Sequence, residues 1–524
     1  MSTKGTEPAD RVRFGIEGLD NVLHGGVMRQ NHVLLEGPAG AGKTTLALSF
    51  LHAGATRERE PGLLISFEIS PAKLLRDARG FGWDLEQLIR QGLLKVIETT
   101  PGVLLQDLRV EDGVLASELV TLGAKRLVID GLTPLRLSAE RSSGPSYRSG
   151  LHQLIGSLTR LGVTTLVTNE SDAKSGGATS DERYLFDTVI ALDRVSEPSS
   201  RRSIEVIKSR GQDFVSGRHT LRLEAGRGVT VYQRAQSRER SYADVTGLRT
   251  VESFGSPDID ALFGGGLYGG SITMVSGIAG TGKTVASLQF LTAGALSGQP
   301  SLLVSLDEPP AQLLRNAENL ELPIRSLLEG QKLFFMYESP LEIELDVHFD
   351  RIVKLVEEHG IKRVVFDSLA LYEKANPEQV TGFLYAVAAF CKTRGILCVL
   401  NYESPELLGV SQISESLKGS QLVDNIVLLS YVEVSTHLRR AIAVPKVRGR
   451  RNLQITREYV IGPGGLSLVD EPAPENEVSS VPQLPFSAYY GLLARAPARR
   501  APAIDEAIAS GEPLPESQES SEEA

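Results

Sequence analysis

Short apolar runs alternate with longer stretches of helical spacing along most of this chain. Residues 62–67, 125–130 and 163–168 are apolar runs of strand length, while residues 149–161 carry apolar side chains three and four positions apart, as an amphipathic helix does. Strands that alternate with helices are typical of a largely parallel sheet covered by helices on both faces. We therefore predict α/β domains in which ligands bind beyond the carboxyl ends of the strands.

The whole pattern occurs twice. The apolar run that ends at Asp130 recurs 237 residues later at Asp367, and the Lys-x-Arg-Gly motif of residues 208–211 recurs 238 residues later at 446–449. A near-constant offset indicates a duplicated domain. We predict an N-terminal tail (1–10), a first domain (11–235), a linker (236–247), a second domain (248–470) and a C-terminal tail (471–524).

Two segments match the phosphate-binding loop pattern GxxxxGK[ST]. Each follows a strand-like run and opens into a helix-like run, a context that a chance glycine-rich turn lacks. Glycines let backbone N–H groups surround phosphates, the lysine adds positive charge and the threonine hydroxyl binds Mg²⁺. We expect ATP and Mg²⁺ in each domain, bound by Gly37, Gly40, Gly42, Lys43, Thr44 and Thr45 in the first loop and by Gly277, Gly280, Thr281, Gly282, Lys283 and Thr284 in the second.

Aspartates that end buried strands complete the predicted metal sites. Asp130 and Asp367 each follow an apolar run and lie downstream of a phosphate-binding loop. An aspartate in this position binds Mg²⁺ directly or through water, together with Thr44 or Thr284. The alternative is an ordinary turn residue, but the repetition of the pattern favours the metal role.

A further acidic position follows the first predicted strand after each phosphate-binding loop. Glu68 stands there in the first repeat, and Asp307 with Glu308 stands 239 residues later in the second. Hydrolysis needs a carboxylate that orients or deprotonates water in line with the γ-phosphate. We therefore predict these acids, with Lys43 and Lys283, as catalytic; the alternative is a helix N-cap.

Composition excludes a membrane span and a secreted, disulfide-rich protein. No apolar run approaches the length of a transmembrane helix, the N-terminus lacks a signal-peptide core, and the two cysteines, Cys391 and Cys398, lie in an apolar stretch. Buried thiols fit a reducing cytoplasm. The acidic tail, rich in Pro and Ser, is expected to be disordered, with residues 481–493 either docking elsewhere or remaining linker.

The order of these motifs resembles the KaiC family, double-domain RecA-superfamily ATPases and autokinases of the circadian oscillator. The resemblance covers about residues 11–471: a glycine-rich leading segment in each repeat, both loops, the acids, the strand-end aspartates and the Lys-x-Arg-Gly motifs. It is especially close over residues 424–433 and 440–449. It implies two tandem RecA-like domains, a homohexameric double ring with ATP between subunits, and KaiB-like or other signalling partners.

The resemblance also assigns basic residues to the neighbouring subunit's nucleotide. A cation delivered in trans stabilises charge on the transferred phosphoryl group. The alternative is a basic edge strand on a solvated surface. The residues implicated are Lys208 and Arg210 in the first domain, Lys446 and Arg448 in the second, and Arg202 and Arg440, which precede them at matching positions.

Departures from the family pattern distinguish the two domains. The family carries paired glutamates after the first strand that follows each phosphate-binding loop. Here Ile69 follows Glu68 in the first repeat, and Asp307 replaces the first glutamate of the pair in the second. The shorter aspartate is expected to slow chemistry in the second domain. The adjacent Ser and Thr that the family phosphorylates correspond to Ser420 and Gln421, so Ser420 is the one candidate phosphoacceptor.

Two other functions stay open at this point. A RecA- or DnaB-like DNA-dependent ATPase is disfavoured because the chain before the tail is slightly acidic and lacks a basic–aromatic stretch. A nucleotide-gated scaffold with little turnover, whose tail recruits partners, differs from an enzyme only in its rate of phosphate release. Neither DNA nor a membrane is an expected partner.

Overall fold

The computed structural model contains two α/β domains in sequence. Each is built around a nine-stranded mixed sheet, with a two-stranded sheet beside it. Ser420, Gln421, the predicted linker and both predicted tails lie outside the described residues. The structure describes residues 11–107, 110, 113–134, 136, 147–171, 180–195, 201–235, 250–403, 422–434 and 437–469.

The first domain contains strands β1–β11 and helices α1–α8, with a π-helical turn at Gly54–Glu58. The strands are β1 Arg11–Val12, β2 Val27–Met28, β3 His32–Gly37, β4 Gly62–Ser66, β5 Leu94–Glu98, β6 Arg126–Asp130, β7 Thr164–Glu170, β8 Thr188–Val195, β9 Arg201–Ser209, β10 Arg218–Glu224 and β11 Gly228–Tyr232. The helices are α1 Glu17–Val22, α2 Lys43–Ala53, α3 Pro71–Gly80, α4 Leu85–Arg90, α5 Pro101–Asp107, α6 Val114–Leu122, α7 Tyr147–Leu161 and α8 Ser180–Leu185.

The second domain contains strands β12–β22 and helices α9–α15. The strands are β12 Val251–Glu252, β13 Leu267–Tyr268, β14 Ile272–Gly277, β15 Ser301–Ser305, β16 Leu333–Tyr337, β17 Arg363–Asp367, β18 Leu397–Glu403, β19 Asn425–Val434, β20 His437–Val447, β21 Thr456–Gly462 and β22 Gly465–Leu468. The helices are α9 Pro257–Leu262, α10 Lys283–Leu296, α11 Pro310–Asn319, α12 Ile324–Glu329, α13 Leu345–His359, α14 Leu369–Ala375 and α15 Val380–Arg394.

The two sheets have the same strand order, which confirms the predicted duplication at the level of topology. The first runs β11-β10-β9-β8-β3-β7-β6-β4-β5 and the second runs β22-β21-β20-β19-β14-β18-β17-β15-β16. Six strands of each are parallel, as predicted. The remaining three extend the sheet as antiparallel hairpins, which the sequence analysis did not predict.

Helices cover both faces of the parallel strands, so these strands are buried over most of their length. On β3, Val33 and Leu35 face the core beneath α2, while Leu34 faces the core beneath α7. Burial on both faces explains why such strands have continuous apolar runs in the sequence. Cys391 and Cys398 are free thiols and are buried, as predicted. Within the described residues, no helix combines the length and apolarity that crossing a bilayer requires.

A buried arginine anchors each domain at the start of the strand that ends in the predicted metal-binding aspartate, β6 or β17. Arg363 donates Nη1 to the carbonyls of Ser253 (2.8 Å) and Phe290 (2.9 Å), and its guanidinium lies 4.8 Å from the Phe290 ring centroid. Arg126 makes equivalent bonds and adds an ion pair of 2.8 Å with Glu60. Burial lowers the pKa of both guanidinium groups, that of Arg363 to about 10. Each arginine therefore ties the helix after the phosphate loop to the leading segment of its domain.

The first domain contacts the first turn of α13 in the second. Asp346 accepts hydrogen bonds from the Thr220 hydroxyl (3.0 Å) and the Ala235 amide (2.9 Å), while Glu344 accepts one from Arg222 Nε (3.0 Å). The side chain of Ala235 is buried with the core of the second domain. Polar groups at the end of one domain thus complete a buried carboxylate site in the other.

Candidate nucleotide-binding sites

Both phosphate-binding loops lie between a buried strand and a helix, as their sequence context predicts. Gly42 adopts a left-handed conformation (φ 106°) immediately before α2, and Gly282 does so (φ 96°) immediately before α10. A Cβ atom would lie 3.1 Å from Leu223 Cδ1 at the first position and 2.7 Å from Ile461 Cδ1 at the second. Conformation and close approach both require glycine, because other residues rarely adopt this φ. The backbone is thereby free to curve around an anion.

The loop lysines lie over their own loops. Lys43 Nζ donates to the carbonyl oxygens of Gly37 (2.8 Å) and Pro38 (2.9 Å), and Lys283 makes the same two bonds in the second loop. Burial lowers the pKa of both lysines, although neighbouring carboxylates partly offset this effect. A partly desolvated cation inside a ring of backbone amides is suited to the terminal phosphates of a nucleotide.

Each predicted metal pair is brought together at the same edge of the sheet. Thr44 Oγ1 lies 3.1 Å from Asp130 Oδ2, and Thr284 Oγ1 lies 2.8 Å from Asp367 Oδ2. Burial raises the pKa of Asp367, and the Thr284 hydrogen bond opposes that effect. A hydroxyl and a carboxylate side by side offer the oxygen ligands that Mg²⁺ prefers, with phosphate and water oxygens completing its shell. These residues therefore fit a nucleotide-bound Mg²⁺.

The predicted catalytic acids occupy equivalent turns. The Ser66 hydroxyl is bonded to the backbone of Ile69, and the Ser305 hydroxyl is bonded in the same way to that of Glu308. Glu68 and Asp307 are exposed at matching positions of the two turns. The N-cap alternative is wrong, because Ser70 and Pro309 occupy the N-cap positions of the helices that follow.

The additional acid of the second turn is held by its surroundings. Glu308 accepts a hydrogen bond of 2.8 Å from Asn316 Nδ2 and is half-buried. Burial raises its pKa, and the negative charges of Asp367 and Asp307 add to the increase. Of the predicted acids, the second site therefore has three (Asp307, Glu308 and Asp367). The first has two (Glu68 and Asp130), because Ile69 stands at the position of Glu308.

Sequence reasoning missed a glutamate at the end of the strand beside each loop. Glu170 ends β7 directly opposite Gly37, and Glu403 ends β18 directly opposite Gly277. Each is the leading charge that partly offsets the lowered pKa of the loop lysine. The signal was present in the sequence, because a glutamate closes the same apolar run in both repeats.

Two more missed side chains lie at the tips of the loops. A Cβ on Gly40 would be 3.0 Å from Arg194 Nη1, and the Tyr431 hydroxyl donates to the Gly280 carbonyl at 2.7 Å. Arg194 and Tyr431 occupy matching positions on β8 and β19, since their strand partners are Arg202 and Arg440. The first tip is therefore bordered by a cation and the second by an aromatic ring.

Arg202 and Arg440, predicted beside the nucleotide, lie at these tips. Arg202 Nε is 3.3 Å from the Gly40 carbonyl oxygen, and the Arg440 guanidinium lies 5.5 Å from the ring centroid of Tyr431. Both arginines are thus at the loop end of their own sheet.

The Lys-x-Arg pairs lie at the opposite end of the sheet. Lys446 is six residues beyond Arg440 on one strand, which corresponds to about 20 Å. Its Nζ donates to the Val423 carbonyl (2.7 Å), and Arg448 Nη1 lies 3.2 Å from Asp424 Oδ1. Lys208 and Arg210 likewise bond the carbonyls of residues 183 and 184. None of these four cations can reach the phosphate-binding loop of its own domain.

Comparison with known proteins agrees with this arrangement. The KaiC ATPase family model matches residues 12–236 and 253–473, one match for each domain. The chain belongs to the KaiC family. Relatives described as circadian clock oscillator protein KaiC include those of Prochlorococcus marinus strain MIT 9313 (30% identical over 470 residues, 88% of this chain and 93% of the relative) and Synechococcus elongatus (29% over 474 residues, 88% and 89%).

A third KaiC, from Thermosynechococcus vestitus, is 31% identical over 465 residues, covering 87% of this chain and 88% of the relative. The similarity to KaiC proteins therefore spans both domains and leaves out mainly the chain termini. The recognised resemblance and the predicted tandem RecA-like fold are confirmed.

Proposed function

We propose that this chain binds ATP in both domains and hydrolyses it. The observation that carries the proposal is the repeated juxtaposition of a loop lysine with a threonine–aspartate oxygen pair, separated by 3.1 Å in the first domain and 2.8 Å in the second. Bound Mg²⁺, held by these pairs, would supply positive charge to the terminal phosphates. The lysines and loop amides bind the phosphates and fix their orientation.

In the proposed reaction, Glu68 and Asp307 orient the attacking water. Both are exposed in turns that follow the strand beside the metal-binding aspartate. A displacement of about one ångström, such as the shorter aspartate introduces, is enough to slow an in-line attack strongly. We therefore expect the first domain to turn over ATP faster. Glu170 and Glu403 border the loops from the other side and are additional candidates for holding the water.

The Lys-x-Arg pairs support a ring of identical subunits. Because they lie about 20 Å from their own loop end, they can contact nucleotide only on a neighbouring chain. We infer a homohexamer in which each domain delivers the two cations of its Lys-x-Arg pair to the ATP bound by the next subunit. This is the trans arrangement that stabilises charge during phosphoryl transfer.

Phosphorylation of Ser420 by the second domain is a further part of the proposal. It rests on the family resemblance alone, because Ser420 lies outside the described residues. A cytoplasmic location and KaiB-like or other signalling partners stay predictions of the same kind.

Calorimetric titration with Mg·ATP tests the binding proposal. We expect two sites per chain, one after Lys43→Ala or Lys283→Ala, and none after both substitutions. Lys73→Ala, which removes an exposed lysine from α3, is the charge-matched control and should leave two sites. Fewer than two sites in the unmodified chain would contradict the proposal.

Mixing variants tests delivery in trans. In a Lys283→Ala background, one protein carries Lys43→Ala, and the other carries Lys208→Ala with Arg210→Ala. Each alone should hydrolyse ATP poorly, while mixed rings should recover activity at interfaces that join an intact loop to an intact basic pair. Mixed rings without recovery would refute the trans role. Two bound nucleotides with negligible phosphate release throughout would favour the scaffold alternative, and salt-sensitive DNA binding would favour the DNA-dependent ATPase.

A further inference from the structure

A buried polar relay connects three elements of the second domain. His348 on α13 pairs Nδ1 with Glu338 Oε2 at 2.6 Å and Nε2 with the Tyr372 hydroxyl at 2.8 Å. His348 and Tyr372 are completely buried, and Glu338 follows directly after β16. Both ring nitrogens therefore have partners, so the imidazole is fixed in position and orientation. Buried polar networks of this kind specify one arrangement of the elements they join.

The Tyr372 end of the relay lies beside the metal-binding end of β17. Tyr372 belongs to α14, which begins two residues after Asp367. Its ring is 6.1 Å from that of Phe366, the residue before Asp367, and 5.3 Å from that of Phe383. The hydroxyl and the ring of Tyr372 thus hold the helix that follows Asp367 and the residue that precedes it.

The other end of the relay is anchored by the first domain. Glu344, immediately before α13, and Asp346 in its first turn accept hydrogen bonds from Arg222 and Thr220, respectively. His348 lies two residues after Asp346 on the same helix. The relay therefore connects a fixed helix to the strand end where Asp367 pairs with Thr284.

We propose that His348 and Tyr372 are positioning residues for the second nucleotide site. They hold Asp367 where its carboxylate and the Thr284 hydroxyl together bind the metal of Mg·ATP. This inference rests on the proposed ATP-binding function. The first domain offers an internal control, since residues 99–136, which correspond to the relay segment, contain neither histidine nor tyrosine.

The test isolates each site in the full-length chain. Lys43→Ala leaves the second site, and Lys283→Ala leaves the first. Tyr372→Phe keeps the aromatic packing and removes only the hydroxyl; His348→Gln is the second variant, should the first lose stability. Binding of a fluorescent ATP analogue is titrated with Mg²⁺ and repeated in EDTA, and bound Mn²⁺ is counted by electron paramagnetic resonance.

In the Lys43→Ala background, Tyr372→Phe should raise the Mg²⁺ concentration for half-maximal binding about fivefold, because a buried partner is lost beside the metal ligand. Affinity in EDTA should stay the same. In the Lys283→Ala background, the Mg²⁺ dependence should not change. A lower melting temperature with unchanged Mg²⁺ and Mn²⁺ binding would overturn the inference and leave the relay a purely structural feature. Absence of analogue binding in the Lys43→Ala protein itself would overturn the proposed function as well.

Discussion

Replacing Gly54 by alanine should destabilise the first domain specifically. Gly54 follows α2 and lies against the buried side chain of Arg126. A Cβ at this position would lie 2.4 Å from Arg126 Nε, 2.5 Å from Cδ and 2.8 Å from Cζ. Carbon atoms in contact normally stay about 3.5–4 Å apart, so the guanidinium must move by about an ångström.

The expected cost follows from the contacts that such a movement breaks. Overpacking a core site costs typically about 1–3 kcal/mol. Displacing Arg126 also weakens its ion pair with Glu60 and its bonds to the Arg13 and Phe50 carbonyls, each worth about 1 kcal/mol or more. We expect the free energy of unfolding to fall by about 3 kcal/mol in total.

The single tryptophan allows the effect to be assigned to one domain. Trp83 is the only tryptophan of the chain and is buried in the first domain, where its ring lies 5.5 Å from that of His52. Its fluorescence therefore reports unfolding of the first domain only. With a urea m-value of about 2–3 kcal/mol per molar, Gly54→Ala should lower the fluorescence midpoint by about 1 M.

Two further variants test whether the destabilisation by Gly54→Ala is confined to the first domain. Gly294→Ala places a Cβ 2.3 Å from Arg363 Cδ in the second domain, so it should shift the circular-dichroism transition while the Trp83 midpoint moves less. Gly156 is exposed on α7, and a Cβ added there would have no atom within 4 Å, so helix propensity predicts that Gly156→Ala gains about 0.5–1 kcal/mol. A Gly54→Ala curve that overlays the unmodified protein would refute the reasoning about Arg126.

Three further predictions concern protonation, loop geometry and metal. Burial raises the pKa of Asp20 to about 6 from 3.8, so its ionisation should lower the free energy of unfolding by about 2 kcal/mol as pH rises from 4 to 6; Asp20→Asn should remove this slope in Trp83 fluorescence, and an unchanged slope would contradict it. Gly42→Ala should abolish the first ATP site, because φ is 106° and Leu223 is 3.1 Å away, so two sites by calorimetry would refute it. EDTA should weaken ATP binding at both sites of the unmodified chain, whereas Thr44→Val should weaken Mg²⁺-dependent ATP binding only at the first site. If the two sites of that variant depended equally on Mg²⁺, Thr44 would not be a metal ligand.

The parts of the fold that follow local rules were predictable. Strand–loop–helix order, duplication and the pairing of Thr44 with Asp130 all depend on short motifs placed at the ends of apolar strands. The antiparallel extension was not predicted, because pairing between β8 and β9 depends on contacts outside any local pattern. The four Lys-x-Arg cations were predicted at a neighbouring subunit by resemblance only; the structure shows them about 20 Å from the loop end of their own domain, and the role in trans stays a prediction.

Side chains that act through tertiary contact escaped the sequence analysis. His348 and Tyr372 lie 24 residues apart and carry no spacing that would associate them. Glu170 and Glu403 were visible as strand ends, but only the register opposite Gly37 and Gly277 gives them meaning. Functional residues that belong to a short motif can be recognised in the sequence, whereas residues that meet only through packing cannot.

The contact between the domains affects any fragment of this chain that contains the second domain alone. A fragment that begins at residue 250 would retain β12–β22 and all helices of the second domain, yet it would lose the Thr220 hydroxyl and the Ala235 amide. Asp346 would then lose both donors that bind its carboxylate, together with first-domain groups that cover it. The fragment would also lose the Ala235 side chain, which is buried with the core of the second domain. The isolated second domain should therefore be less stable than the same domain in the intact chain.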